Sequence, residues 1–159
     1  VDIDLQLDES IGEVPMIVED FTRVILNLVN NAFDAMREKV KVIRSEVENR
    51  EAKSETEDES AEAIHELPLQ DSNYQPKLTI RTKSENGQIL IEVQDNGPGI
   101  PDEIKDNILQ PFFTTKKGTQ GTGLGLSITN DIVKAHGGEL SLVSNPQVGT
   151  MFRIAFPNK

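Results

Sequence analysis

The sequence has no cysteine and no tryptophan, a single tyrosine, and only 4% aromatic residues. Without cysteine, disulfides and thiolate zinc sites are excluded, which is compatible with a reducing compartment. Bases are also scarce, 16 against 27 acids, for a formal net charge of -11. That balance argues against a nucleic-acid or anionic-membrane surface, whose main attraction is phosphate neutralisation. It does not exclude a nucleotide held by a local site of backbone N–H groups, lysines or a metal ion. No apolar run approaches the length of a membrane span, and no secretory leader is visible. The chain starts at Val1, not Met, directly in an alternating pattern, as expected of a fragment of something longer. Its 159 residues suit one domain with a respectable core, although only 36% are apolar.

Residues 1–8 alternate Val1, Ile3, Leu5 and Leu7 with polar residues, the pattern of a half-buried strand. From about Pro15 the period becomes helical, through Phe21, Val24, Ile25, Leu28, Val29, Ala32, Ala35 and Met36, and "REKVKVIRSEVENREAK" can extend that helix. Residues 45–76 are dense in Glu, Ser and Asp and are expected to form an acidic, mobile or partly helical insert. "KLTIRTKSENGQILIEVQDN" predicts a hairpin with an Asn-Gly turn, and "DEIKDNIL" a short helix with an acidic first turn. Residues 111–125 predict a loop, "GLSITNDIVKAHGG" an amphipathic helix stopped at Gly137, and "ELSLVSNPQVGTMFRIAF" a second hairpin. Adjacent strands among few helices predict a two-layer α+β sandwich, not a doubly wound parallel sheet.

Four stretches carry chemistry. In "NLVNNAFDAM", Asn27 and Asn31 are one turn apart with Asp34 close by. Two amide oxygens and a carboxylate are hard ligands that suit Mg²⁺. The alternative is a polar face satisfied by neighbouring backbone. In "DNGPGIP", Asp95 ends a strand before two glycines. A carboxylate there accepts a hydrogen bond from an exocyclic amine such as adenine's, or the stretch is an ordinary turn. In "GTGLGLSI", Gly121, Gly123 and Gly125 run into a helix, an arrangement that offers free N–H groups to phosphate. "PFFTTKKG" places two aromatics and two lysines in a polar loop, to anchor it, to reach a phosphate, or both.

Together these stretches resemble the N, G1, F and G2 boxes of the catalytic ATP-binding domain of bacterial sensor histidine kinases, and they occur along the chain in that order. "PFFTTK" matches the F box between G1 and G2, and "GTMFRIAFP" resembles the closing strand. These kinases share the GHKL superfamily with gyrase, the mismatch-repair MutL proteins and a heat-shock chaperone. The resemblance implies the Bergerat fold, a mixed, mostly antiparallel sheet covered on one face by helices, in a single domain over 1–159 with a lid at about 100–122. It implies ATP and Mg²⁺ as ligands. Asn31 would hold the metal, assisted by Asn27. Asp95 would bond the adenine amino group, with Thr150 in support. Gly97, Gly99 and Ile100 would let backbone approach adenine and the lid's start. Gly121, Thr122, Gly123, Leu124, Gly125 and Leu126 would lie along the phosphates. Many sensor kinases carry Lys or Arg where this chain has Asp34, so phosphate charge falls to Lys116 or Lys117, and Asp34 has either a water-mediated metal role or none beyond marking a subtype.

The implied activity is donation of the γ-phosphate to a histidine on an upstream dimerisation domain, with a response regulator downstream. The implied location is the cytoplasm, without nucleic acid or direct membrane contact. The rivals are a hydrolysing ATPase, a binding module without chemistry, and a serine kinase. Hydrolysing relatives carry a glutamate where this chain has Asn27, and an amide is a poor general base. "HELPL" at His65 faintly resembles a phospho-acceptor box but lies within the domain and inside the acidic insert. His136 is read as a helix-end cap and dipole partner.

Overall fold

The computed structural model describes residues 1–54, 73–116, 121–146 and 148–158. Lys117, His65 and the middle of the acidic insert lie outside the described residues.

The chain order is β1 (Asp2–Gln6), α1 (Val18–Ser54), β2 (Lys77–Glu85), β3 (Gln88–Asp95), α2 (Asp102–Lys105), α3 (Gly125–Ala135), β4 (Glu139–Asn145) and β5 (Gly149–Pro157). The strands form one sheet in the order β1-β2-β3-β5-β4. β1 runs parallel to β2 and every other pairing is antiparallel. Asn86 and Gly87, both at positive φ, make the hairpin turn between β2 and β3.

The two periodicities meet in the core. Phe21, Val24, Leu28, Ala32 and Met36 form one stripe of α1 and are buried. Phe152, Ile154 and Phe156 of β5, Val93 of β3 and Leu78 of β2 face them from the sheet, with Val133 of α3 alongside. The other sheet face carries Glu92, 2% exposed. Its carboxylate is covered by Arg153 at 2.7 Å, Arg81 at 3.8 Å and Lys83 at 3.9 Å, which is how a charge is tolerated there.

Three expectations change in detail. β1 forms, but Val1, Ile3, Leu5 and Leu7 are all more than half exposed. Parallel pairing sets Ile3 beside Leu78 and Leu5 beside Ile80, on the helix side of the sheet. They occupy its edge strand, where that side lies open. The first ten residues of the acidic stretch, 45–54, continue α1. The helix predicted from "DEIKDNIL" shortens to four residues, because the chain continues in three-residue steps, Asn107 N–H to Ile104 O, Gln110 N–H to Asn107 O and Phe113 N–H to Gln110 O. α3 ends as expected. The Gly137 and Gly138 N–H groups bond Lys134 and Val133 carbonyls, and His136 Nδ1 lies 2.9 Å from Ile132 O.

Candidate functional site

The site follows the polar stripe of α1, from Asn27 through Asn31 and Asp34 to Ala35 and Lys39. At one end, Asn27 Nδ2 donates to Gly125 O at 3.2 Å and to Thr129 Oγ1 at 3.3 Å. This fastens α1 to the first turn of α3. Among the described residues, no side chain caps that turn, so its N–H groups are available to an anion. Asn27 spends its NH₂ on this clamp and keeps its amide oxygen. Asn31, half-buried, has no hydrogen-bond partner among the described residues, so its amide is free for a ligand. Asp34 Oδ2 accepts from Lys116 Nζ at 2.5 Å, and Arg37 lies 3.6 Å from Oδ1.

At the other end stands Asp95, 5% exposed. The β3–β5 register sets it opposite Thr150, itself buried and 2.9 Å from Ser144 Oγ. Gly97 N–H donates to Asp95 Oδ1 at 2.8 Å. A Cβ on Gly97 would stand 2.8 Å from that oxygen and 3.1 Å from Ala35 Cβ, so glycine lets the turn close on α1. Gly99 has φ +76 and presses on the Asn145 carbonyl. Ile100 N–H then bonds Ser144 Oγ at 2.7 Å while its side chain packs on the core. Burial pushes the Asp95 carboxyl up to about 6, against the pull of the Gly97 and Thr150 backbone bonds and the Lys39 charge. A buried acceptor at the end of a strand, beside a turn built on two glycines, suits an amine donor.

The loop residues fill the space between these ends. Gly121 backs onto Thr114 and the Lys116 stem, and Gly123, at φ +68, lies against the Phe112 backbone. Thr122 Oγ1 accepts from Leu124 N–H at 3.3 Å. These glycines let residues 112–116 pack against 121–124, beside the free N-terminus of α3. Leu126 and Phe113 pack on the core, whereas Phe112 is 76% exposed. So Phe113 anchors the loop and Phe112 does not.

Sequence reasoning missed Lys39 and Tyr74. Lys39 Nζ sits 4.6 Å from the centre of the Tyr74 ring, and the Tyr74 hydroxyl donates to Asn96 Oδ1 at 3.1 Å. Burial and the Asp95 charge push that hydroxyl up to about 12. The available signal was the stripe itself, since Asn31, Ala35 and Lys39 are each four residues apart. A groove of about 450 Å³ lined by Val1, Phe33, Met36, Arg37, Val40, Lys41 and Pro76 is largely apolar and holds neither Asn31 nor Asp95.

Residues 17–159 match the family model described as "Histidine kinase-, DNA gyrase B-, and HSP90-like ATPase". The chain belongs to this family. Sensor kinase CckA of Brucella abortus is 33% identical over 158 residues, 98% of this chain and 14% of that protein. Sporulation kinase A of Bacillus subtilis is 44% identical over 71 residues, 45% of this chain and 11% of that protein. The chain thus spans a small part of the kinases it resembles. Among solved structures, the catalytic domain of histidine kinase ThkA in a nucleotide-free form has a TM-score of 0.63 and 29% identity, covering 99% of this chain and 78% of that one. Full-length ShkA in complex with AMPPNP shares the fold, at a TM-score of 0.67 and 16% identity over 98% of this chain and 25% of that one. The five-stranded mixed sheet with its helix layer is the fold of histidine kinase catalytic domains, and this chain is an ATPase-type domain of that kinase class. Among the described residues, no helix is long and apolar enough to cross a membrane.

Proposed function

We propose that the chain is one ATP-binding domain of a two-component sensor histidine kinase, which binds Mg·ATP and presents its γ-phosphate to a histidine on a dimerisation domain elsewhere in the parent protein. The observation that carries this reading is the α1 face. Asn27 and Ala35 lie eight residues apart, about 12 Å along the helix axis. They join an uncapped helix N-terminus to a buried carboxylate. That span suits a nucleotide with phosphates at α3 and the base amine on Asp95.

Asp95 accepts from the adenine amine, braced by Gly97 and Thr150. Gly99 and Ile100 carry the backbone turn beside the base. The N–H groups of the first α3 turn, reached through Gly121 to Leu126, meet phosphate oxygens. Asn31 and the Asn27 amide oxygen are hard donors and fit Mg²⁺, which when bound supplies charge neutralisation to the phosphates. Lys116 brings the one loop cation whose position is described. Positioning and charge stabilisation are what phosphoryl transfer asks of a protein.

Transfer is preferred over hydrolysis because Asn27 stands where a water-activating base is needed. Its NH₂ donates to Gly125 O and Thr129 Oγ1, so the group is neither basic nor free to turn. The partners that follow are the acceptor-bearing dimerisation domain and, beyond it, a response regulator, on the cytoplasmic side of a membrane if the parent is anchored. Calorimetric titration with ATP, with and without Mg²⁺, tests the binding, and a phosphate-release assay tests the preference. The expected result is Mg²⁺-dependent binding with almost no release; robust turnover by the chain alone overturns it.

A further inference from the structure

Asp34 sets a carboxylate one helical turn from Asn31, on the face that the proposed function turns toward phosphate. A negative charge there repels a polyphosphate. Two cations converge on it, Lys116 Nζ at 2.5 Å from Oδ2 and Arg37 at 3.6 Å from Oδ1. The Lys116 stem is held from behind, since a Cβ on Gly121 would lie 3.1 Å from both its Cβ and Cδ. The pair is not sealed from water: the two side chains are 35% and 38% exposed. A half-exposed pair is weak, and a ligand with several charges competes for the ammonium. Losing Lys116 would not orphan Asp34, because Arg37 remains beside its other oxygen.

We infer that Asp34 is a specificity-determining residue that makes nucleotide affinity depend on phosphate number, by holding Lys116 until a polyphosphate takes the ammonium from it. The inference rests on the nucleotide reading above. It has a signature that a structural ion pair lacks. Replacing Asp34 by a neutral residue frees Lys116 and removes the repulsion, so polyphosphate binds more tightly. Replacing Lys116 leaves Asp34 facing the phosphates, so polyphosphate binds more weakly. A pair that merely braced the loop would shift affinity in the same direction whichever partner was removed.

Titrating ATP and AMP in the presence of Mg²⁺ into the wild-type chain, Asp34→Asn and Lys116→Gln tests this. The expected ATP dissociation constant falls about two- to fivefold in Asp34→Asn and rises by at least about that factor in Lys116→Gln. The AMP constants stay within about twofold of wild type, because AMP does not extend to Lys116. Shifts of the same sign in the two variants, unchanged ATP constants, or AMP shifts as large as those for ATP overturn the assignment of Asp34. A wild-type chain that binds neither nucleotide overturns the underlying reading instead, before any variant is compared.

Discussion

Replacing Asp95 with asparagine should remove the loss of stability that the fold suffers as pH rises toward neutrality, and remove its grip on the base as well. The carboxyl is 5% exposed, and burial holds it at about 6 against an ordinary 3.8. A raised carboxyl costs the folded state nothing below pH 3.8, where both states are protonated. The cost builds between 3.8 and 6, where only the unfolded chain releases the proton, and is complete above 6. The whole cost is about 3 kcal/mol, of which roughly half develops between about pH 5 and about pH 7.5. Asparagine never ionises, so the variant escapes this loss. Its NH₂ also faces the N–H groups of Gly97 and Thr150, which sets a constant offset between the two proteins; the information is in the slope. Urea unfolding of both proteins at the two pH values measures it. The variant should gain roughly 1 kcal/mol on the wild type from the lower pH to the higher, while its ATP affinity collapses. Stability curves that run parallel in pH would refute the claim that Asp95 is a buried, destabilised charge retained for its ligand.

Three other substitutions separate function from folding. Asn31→Ala breaks no hydrogen bond of the described fold, so its urea midpoint should shift by no more than about 0.5 kcal/mol in stability, while calorimetry should show Mg²⁺-dependent ATP affinity falling at least about tenfold. A large stability loss with ATP binding intact would make Asn31 structural. Asn27→Glu should raise phosphate release above the wild-type rate in a colorimetric assay, and should also lower the melting temperature, because a carboxylate then faces the Gly125 carbonyl. Hydrolysis that fails to rise removes the missing base as the reason for the preference. Gly149 has φ +116, and a Cβ there would overlap the Asp95 carbonyl oxygen. Gly149→Ala should therefore destabilise by about 2 kcal/mol or more in thermal melts and loosen the β3–β5 end that presents Asp95.

Most of the fold was legible because its signals are local. The Asn86-Gly87 turn, the alternation of Phe152, Ile154 and Phe156, and the Gly137 stop each follow from a few neighbouring residues. β1 shows the limit of such signals. Periodicity says that Val1, Ile3, Leu5 and Leu7 share a face, but not whether anything covers it. α2 shows another, since propensity did not foresee the change to three-residue steps after Ile104. At the site, residue types at fixed spacing pointed to Asn27, Asn31, Asp95 and the glycines. The partners that tune them were hidden because they come from far along the chain. Lys116 meets Asp34 from 82 positions away. Tyr74 reaches Asn96 and Lys39 only once β2 and β3 have paired. Of the two loop lysines only Lys116 is described, held by Asp34, and Lys117 lies outside the described residues.

The proposed domain hands on phosphate and does not spend it. The direct test mixes the chain with a separately made dimerisation domain of its parent kinase and Mg·ATP labelled at the γ-phosphate. The expected result is label on a histidine of the added domain, lost in acid and stable in base, with little free phosphate. Label accumulating as free phosphate, or as an acid-stable phosphoserine, would contradict it.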